Sequence, residues 1–503
     1  MPLSRRHLLG GTALAMAGLP RPGRAAADAI TIAWPNDVTS WDPNLRYVPD
    51  VQSIFKAVFD QPIMQAPDLR LIPGLLTKWE LAPDAMSMAV ELRDDVRFHD
   101  GSRMTADDFR FTFFDRTRPG QGLDIVTSWR KVSDIEVVSP TRAVMRFSSA
   151  APTAPEWMAF MGSYIVPKNY VSSVGAQEFG RKPIGTGPYR LAEYEMNSRM
   201  VLERNENYWG PKAKIGRVTI QVVKDPSARV AAIQSGQVDM TTNVPIREVA
   251  RLNRVSGLVA EANPATRVIL VHCRNDRGFA DPRVRLAAHH AIDKAALSQA
   301  FFGGAARPLS VFATPGSPGD VPDFRFPFDI DKAKALLAEA GFGPDKPARV
   351  GFATTNGHFP GDYDIARAMV QMWKRVGIEA DLQVIEYAKY FELNRGGQLP
   401  ELTLYAWENA TADPEIYIGY MMNPNMAFSP SKDPEIGRRT LALFDTANYE
   451  ERIAGYRRLE QDAVEQGLSL PLLQSVVTVV RKRELGYEKY GNGWLLPQSM
   501  TWG

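Results

Sequence analysis

Cysteine is nearly absent from this sequence, because Cys273 is the only one in 503 residues. A single cysteine cannot form an intramolecular disulfide, so the fold has no disulfide framework. An excess of charge of one sign is also missing, since 59 lysines and arginines stand against 57 aspartates and glutamates. The net charge of +2 provides no broad field for steering toward nucleic acid. We therefore expect no nucleic acid partner.

Long apolar runs are scarce near the N-terminus. Residues 9–19 form a mildly apolar run that is shorter than the ~20 residues a spanning helix needs. The run follows paired arginines in residues 4–9 (SRRHLL) and precedes residues 25–27 (AAA), an order typical of an export signal. The arginine pair is similar to a twin-arginine signal, and Asp28 follows the cleavage point where a lipoprotein has cysteine. We expect a signal peptide over residues 1–27 and a soluble periplasmic protein.

The usual enzyme signatures are missing as well. The sequence has no phosphate-binding G-x-x-x-x-G-K-S/T loop, no H-E-x-x-H and no G-x-S-x-G, and Arg190 stands where a dinucleotide motif starting at Gly185 needs glycine. His289 and His290 are adjacent, so on a helix they point about 100° apart and do not converge on one metal ion. We expect no cofactor, no resident metal and no enzymatic activity. The sequence does not exclude a glycosidase-like pair of carboxylates, because such a pair is defined by its distance in space and not by its spacing along the chain.

The elements that can be predicted mix strands with helices. Apolar residues alternate over residues 86–98, which predicts a half-buried strand. Thr105 and Asp108 form a capping box that predicts the start of a helix. Residues 135–138 and 143–147 flank a Ser-Pro turn and predict a pair of strands.

The second half of the chain alternates helix and strand more regularly. Asp281 before Pro282 and Asp329 before an apolar stripe each predict a helix start, and Gly341 predicts the end of the second helix. Residues 365–376 form a helical stripe that Gly377 closes, and residues 378–384 alternate as a strand. These patterns indicate an α/β lobe.

Several blocks of sequence resemble the family 5 extracellular solute-binding proteins, which include dipeptide-, oligopeptide- and nickel-binding proteins. The most specific stretch joins GLLTKWE to LRDDVRFHDG and TADDF. The blocks run in the family's order through nearly the whole mature chain: residues 40–43 (SWDP), 74–80, 92–101, 105–109, 183–189 (PIGTGPY), 204–210 (RNENYWG), 233–239 (IQSGQVD), 284–287, 291–294, 329–342 and 407–414.

The resemblance implies an α/β fold of the type II periplasmic-binding-protein class, a clamp of two lobes with an additional third domain. Lobe one would comprise residues 28–44, 176–261 and 478–503, the extra domain residues 45–175, and lobe two residues 262–477. It also implies the role of a monomeric substrate-binding subunit, which captures a small-molecule or peptide ligand between its lobes. Its partners would be the permease and ATPase of an ABC-type importer.

Peptide-binding relatives carry the pattern G-W-x-A/G-D-Y-x-D/E-P, whose first aspartate grips the ammonium group of the peptide. The aligned run here is AWENATADP, and Ala410 stands in the place of that aspartate. The resemblance therefore implies the site without its ammonium anchor. The expected ligand contacts are Trp407, Asn409 and Ala410 on one wall and Asn36, Asp37 and Val38 on the other, with Glu408 and Asp413 as possible substitutes for the missing charge.

Each of these contacts has a plainer structural alternative, since Trp407 can belong to a buried core and residues 36–38 to a solvated loop. The ligand also stays open between a peptide or peptide-sized solute and a non-peptide such as an opine, a modified peptide, a short saccharide or a metal chelate. A periplasmic hydrolase or chaperone on the same scaffold is the remote alternative, because fold alone does not prove function.

Overall fold

The protein is described by a computed structural model that covers residues 28–276, 279–356 and 358–503. The predicted signal peptide, residues 1–27, lies outside the described residues. The described part of the chain forms eighteen strands: β1 (Ala29–Trp34), β2 (Ile63–Gln65), β3 (Leu71–Pro73), β4 (Leu76–Leu81), β5 (Ser87–Leu92), β6 (Val132–Ser139), β7 (Arg142–Phe147), β8 (Tyr189–Glu195), β9 (Arg199–Arg204), β10 (Arg217–Val222), β11 (Met240–Thr242), β12 (Leu258–Cys273), β13 (Ala348–Thr354), β14 (Ile378–Val384), β15 (Leu402–Trp407), β16 (Ser469–Lys482), β17 (Leu485–Gly486) and β18 (Thr501–Trp502).

Helices connect most of these strands. They are α1 (Gln52–Val58), α2 (Ala106–Arg110), α3 (Ile125–Trp129), α4 (Ala154–Met158), α5 (Lys168–Phe179), α6 (Pro226–Gln234), α7 (Ile246–Leu252), α8 (Pro282–His290), α9 (Lys294–Phe302), α10 (Ile330–Glu339), α11 (Asp362–Lys374), α12 (Tyr387–Arg395), α13 (Tyr420–Met422), α14 (Pro434–Leu443) and α15 (Tyr449–Glu465). Short 3-10 turns occupy Pro49–Val51 and Pro497–Ser499, and π-helical turns occupy Phe111–Asp115 and Glu415–Gly419. None of the described helices is long and apolar enough to cross a bilayer.

One mixed sheet runs through the molecule in the order β14-β13-β15-β12-β16-β11-β1-β10-β9-β8. Its two long central strands, β12 and β16, are antiparallel partners from Leu258–Lys482 to His272–Ser469. The ladder between them is interrupted between Pro264 and Val268. The chain thus passes between the two halves of the sheet twice, on strands that pair with each other.

The three largest apolar cores of the described residues define three packing units. Strands β1, β8, β9 and β10 enclose the core of the first half, and β12 to β15 enclose that of the second half. The four-stranded sheet β4-β5-β7-β6 carries a third core, whose buried residues lie between Ile63 and Ile165. Helix α1 packs into the first core through Ile54 and Phe55. Helix α1 therefore packs with the first half of the sheet.

The predicted strand–helix sequence of the third unit is largely confirmed. Thr105 accepts a hydrogen bond from the Asp107 amide while Asp108 accepts one from the Thr105 amide at 2.8 Å, and α2 begins there. Strands β6 and β7 pair around the predicted turn. The strand predicted over residues 86–98 was too long, because β5 ends at Leu92. Beyond it the chain turns, and the Arg93 guanidinium pairs with Asp95 two residues on.

The predicted caps of the second half are confirmed. Asp281 accepts a hydrogen bond from the Arg283 amide at the start of α8, and Asp329 accepts one from the Lys332 amide at the start of α10, both at 2.9 Å. Gly341 adopts a φ of 81° just after α10, where a left-handed residue ends a helix. Helix α11 and strand β14 follow in the predicted order.

Candidate functional site

A cavity of about 650 Å³ lies between the two halves of the large sheet. Residues of the first half, of the second half and of the two crossing strands all contribute to its walls. A space of this size is typical of small-molecule sites, which occur preferentially between domains. Its walls include Asn36, Asp50, Arg229, Arg267, His358, Glu408 and Trp494.

An ion-pair bridge centred on Arg267 crosses this cavity. The Arg267 guanidinium donates to the Glu408 carboxylate at 3.0 Å and to the Asp50 carboxylate at 3.1 Å. Strand pairing of Val268 with Trp407 places Arg267 beside Glu408, whereas Asp50 comes from the turn before α1. The side chains are only 10–16% exposed. The bridge therefore joins the first lobe to the second in largely buried surroundings.

The bridge sets one guanidinium between two carboxyl groups. Burial raises the pKa of Glu408, and the neighbouring Arg267 opposes this effect. Burial also works against the charge of Arg267, but Asp50 and Glu408 outweigh it and hold the Arg267 pKa above its ordinary value. The carboxyl oxygens that Arg267 does not bind can accept a further hydrogen bond from a ligand.

An imidazole with free hydrogen-bonding capacity lies close to the bridge. Among the described residues, neither ring nitrogen of His358 makes a hydrogen bond of regular geometry, although the Ala406 backbone lies close enough to act on the ring. Its ring lies 5.3 Å from that of Tyr387 and 5.4 Å from that of Phe391, centroid to centroid. Burial lowers the pKa of His358 to about 4, so the ring is neutral near pH 7. It can offer one donor and one acceptor to a ligand.

The wall contributed by the first lobe is positively charged at Arg229. This buried guanidinium donates to the backbone carbonyls of Val223 and Lys224 at 2.8 Å and to those of Thr242 and Asn243. Burial lowers the Arg229 pKa to about 10, which still leaves the group charged at neutral pH. The wall of the first lobe thus brings a second buried guanidinium to the cavity, in addition to that of Arg267.

Two of the predicted site residues, Asn36 and Glu408, line the cavity. Trp407 donates its indole N–H to the Ile416 carbonyl at 3.2 Å, and its ring lies among those of Tyr405, Tyr420 and Phe428. Trp407 is therefore held by aromatic neighbours and is not among the residues that line the cavity.

Asn409 and Ala410 are fully buried next to Glu408. Both polar atoms of the Asn409 side chain lack a hydrogen-bond partner in the described part of the chain, although such groups are normally satisfied by protein, water or ligand. Ala410 packs in an apolar cluster with Phe160, Ile416 and Trp494. The place of the family's anchoring aspartate is therefore filled by apolar contacts.

The remaining predicted residues are engaged elsewhere. Asp37 accepts hydrogen bonds from the Tyr194 hydroxyl and the Asn197 amide, and Val38 packs in the first core. Asp413 binds both terminal nitrogens of Arg452 at 2.9 Å. Its two oxygens are thus taken by a buried partner, which removes Asp413 as a substitute for the missing ligand charge.

Sequence reasoning missed Arg267, Asp50 and His358. A signal was available for Arg267, because it is a charged residue at the start of the apolar run VILVHC. Nothing in the sequence indicates that Asp50 and Arg267, 217 positions apart, form a pair. No group of three or more His, Cys, Asp or Glu within the described ranges is placed to hold a metal ion.

A second contact between units lies beside the cavity, where the third unit meets the second lobe. The Thr153 hydroxyl and the Trp157 indole both donate to the Glu415 carboxylate, at 2.7 and 3.2 Å. Glu156 is buried at the same contact, and burial together with Asp413 raises its pKa to about 8. This contact holds more carboxylates than cations, so it favours a protonated Glu156.

The raised pKa of Glu156 predicts that stability decreases as pH rises. An unfolded chain loses this proton near its ordinary pKa of 4.5, whereas the folded protein keeps it up to about 8, so stability falls across that interval. We expect Glu156→Gln to remove this part of the pH dependence. Melting temperatures of both proteins from about pH 5 to pH 8 test it, since all other titrating groups are shared. Parallel curves would show that Glu156 does not carry the effect.

The chain is similar to known proteins over most of its length. The model of the bacterial extracellular solute-binding proteins, family 5 Middle, matches residues 70–428. The nickel-binding periplasmic protein of Escherichia coli (strain K12) is 27% identical over 504 residues, 93% of each chain. The dipeptide-binding protein of the same organism is 25% identical over 83% of each chain. A periplasmic binding protein associated with an ABC transporter of Helicobacter pylori, solved with the peptide STSA, gives a TM-score of 0.84 at 20% identity, with 94% of this chain and 98% of that chain covered.

Proposed function

The chain belongs to the family 5 bacterial extracellular solute-binding proteins, and from this premise we propose that it captures a peptide-sized solute between its lobes for an ABC-type importer. The likeness to solved structures confirms the predicted fold, a type II periplasmic-binding-protein clamp. The observation that carries the proposal is the cavity of about 650 Å³ between the lobes, which the Arg267 bridge spans.

Ligand binding in such a cavity shifts an equilibrium between open and closed forms. A ligand can shift this equilibrium only through contacts that differ between the two forms. The Arg267 bridge supplies such a difference, because Asp50 lies with the first lobe while Arg267 and Glu408 lie at the second. The permease and ATPase of the importer would then recognise the closed form of a monomeric protein.

Mass spectrometry of solute that copurifies with the protein, followed by X-ray scattering with and without it, tests this function. We expect the solute to reduce the radius of gyration as the lobes close. We also expect a higher melting temperature, since a ligand at 100 times its Kd adds about 2.7 kcal/mol. Tight binding with an unchanged radius of gyration would contradict the hypothesis that the lobes close on the ligand. Chemical conversion of the solute by the purified protein would instead favour a hydrolase.

We infer that the preferred ligand has no free ammonium group at the subsite next to Ala410. The apolar contacts of Ala410 with Phe160 and Trp494 leave no carboxylate there to pair with an ammonium. Glu408, the remaining candidate substitute, is already paired with Arg267. Burying an ammonium without a partner costs several kcal/mol.

Calorimetry with matched free and N-acetylated short peptides tests this specificity. We expect free peptides to bind about ten- to a hundredfold more weakly than a ligand without the ammonium, because one charge-assisted hydrogen bond is lost. In an Ala410→Asp protein whose melting transition shows that it folds, the preference should shift toward free peptides, and Ala410→Asn is its uncharged control. If the wild-type protein binds free peptides tightly and loses them on acetylation, the inference is wrong.

A non-peptide ligand is the second candidate, and His358 favours it. A neutral imidazole without a hydrogen bond of regular geometry, next to the rings of Tyr387 and Phe391, suits a ligand that carries a ring or a chelated metal ion. The nickel-binding relative makes a metal chelate worth including among the solutes tested. Loss of affinity on His358→Phe, with short peptides unaffected, would identify this class.

We propose that the protein reaches the periplasm through a twin-arginine signal in residues 1–27. Support comes from the sequence order of paired arginines, apolar run and AAA site, and from relatives described as periplasmic. We expect Arg5→Lys with Arg6→Lys to stop export, so that fractionation finds the unprocessed chain in the cytoplasm. Wild-type amounts of the double variant in the periplasm would exclude this route.

A further inference from the structure

A second cavity, of about 440 Å³, lies within the second lobe. It is lined by the end of α8, the start of α9 and the loop from residue 307 to residue 328. Its lining has no residue in common with that of the cavity between the lobes. Three phenylalanines of the loop, Phe324, Phe326 and Phe328, provide an apolar wall, and Phe328 is 48% exposed at the surface.

The lining of this cavity includes a buried lysine, Lys294, without an ion-pair partner among the described residues. Lys294 is only 8% exposed, and its ammonium group donates to the Leu309 carbonyl at 2.7 Å. Within the described residues it has no carboxylate at ion-pair distance. Burial lowers the Lys294 pKa to about 7. A buried amine of this kind gains stability from any anion that can reach it.

A second buried polar group lines the same cavity. His289 is 1% exposed, and its Nδ1 has no hydrogen-bond partner in the part of the chain that is described. Burial keeps the pKa of His289 well below its ordinary value, with the nearby Lys294 adding to the effect. The neutral ring is therefore available to donate or accept one hydrogen bond.

The other charges around the cavity do not neutralise Lys294. Asp293 caps α9 by accepting from the Ala296 amide at 2.9 Å, and Asp320 accepts from the Gly316 amide at 3.0 Å. Arg307 adds an exposed guanidinium, and Arg325 binds the carbonyls of its own loop. The N-terminus of α9 adds partial positive charge beside Lys294. The cavity thus combines a positive, buried end with an apolar wall.

We propose that this cavity is a second ligand site, which binds a small organic carboxylate with its anionic group at Lys294 and His289. The hydrocarbon part of the ligand would lie against the phenylalanines of the loop. This site is separate from the capture of solute between the lobes. It would also assign a function to Lys294, which lies in the family-like block of residues 291–294 and takes no part in solute capture between the lobes.

Calorimetry with benzoate as the probe and benzamide as its neutral analogue tests this site. We expect benzoate to bind saturably to the wild-type protein and Lys294→Met to weaken it about ten- to a hundredfold, the loss of one charge-assisted hydrogen bond. In buffers of different ionisation heat, we expect proton uptake on binding near pH 8 and little near pH 6, about one unit on either side of the Lys294 pKa. Lys334→Met, an exposed lysine on α10, is the matched control.

Several outcomes would overturn the second site. They are the absence of saturable benzoate binding, equal affinity for benzamide, or unchanged benzoate affinity in a folded Lys294→Met protein. If Lys294→Met does not fold, the comparison of benzoate with benzamide and the loss of benzoate affinity in His289→Phe decide instead. Arg267→Met should leave benzoate binding unchanged, which separates failure of this site from failure of solute capture between the lobes.

Discussion

Arg267→Met is expected to weaken binding of the captured solute by at least about thirtyfold. The Arg267 guanidinium joins Asp50 to Glu408, which lie on opposite sides of the cavity. Without it, closure brings two buried carboxylates together with no cation between them. Truncating one member of a buried, hydrogen-bonded charge pair costs about 2–5 kcal/mol. The open form escapes this cost because water reaches both carboxylates, so the loss appears as weaker binding.

Titration calorimetry with the copurified solute measures this effect. Adding Asp50→Asn to Arg267→Met should restore part of the affinity, because the repulsion between the two carboxylates disappears. The matched control is Arg349→Met, since Arg349 pairs with Glu379 on the exposed surface of the second lobe. Equal affinity of the Arg267→Met and Arg349→Met proteins would show that the bridge does not contribute to closure.

Arg452→Met is expected to destabilise the second lobe by about 3–5 kcal/mol. Arg452 and Asp413 are 2% and 5% exposed and make two hydrogen bonds of 2.9 Å. Glu415 and Glu156 lie near Asp413 and share the influence of Arg452. Removing the guanidinium would leave these acidic groups buried without their cation, which is the costly case for a buried ion pair.

Differential scanning calorimetry should show this loss as a fall in melting temperature. For a unit of 150–250 residues each kcal/mol corresponds to roughly 2–4 °C, so the expected fall is roughly 6–20 °C. Arg349→Met again serves as the control, because exposed ion pairs contribute at most about 1 kcal/mol. A fall no larger than that of the control would mean that the buried pair contributes nothing beyond a surface pair.

Local signals in the sequence predicted much of the fold. Asp281, Asp329 and Thr105 start helices as expected, because a capping side chain bonds to an amide only two or three residues away. The strand predicted past Leu92 failed because alternation alone does not reveal where a turn such as that at Arg93 begins.

The blocks that resemble the family indicated the fold, but the sequence alone did not show which contacts their residues make. In the structure, three of these residues converge on the buried carboxylate of Asp60. The Trp209 indole and the Tyr208 hydroxyl donate to it at 2.8 and 3.1 Å, and so does the Thr186 hydroxyl at 3.1 Å. The blocks PIGTGPY and RNENYWG thus hold neighbouring segments together around one carboxylate.

The candidate site was harder to predict, because it depends on long-range pairing. The alignment led to residues 407–414, and Glu408 does line the cavity. The ion-pair partners of these residues lie far away in the sequence: Arg267 pairs with Glu408, and Arg452 pairs with Asp413. Burial of Ala410 by Phe160 and Trp494 likewise depends on how distant segments pack, which a single sequence does not contain.

The interrupted ladder between β12 and β16 has a mechanical consequence. Backbone hydrogen bonds stiffen the two strands on either side, but the register shift between Pro264 and Val268 leaves a short stretch that can bend and twist. Arg267 lies within this stretch. A rotation of the two lobes about this stretch would therefore displace the Arg267 guanidinium directly. Because Arg267 lines the cavity, such a rotation would change the contacts available to the ligand at the same time as it moves the lobes.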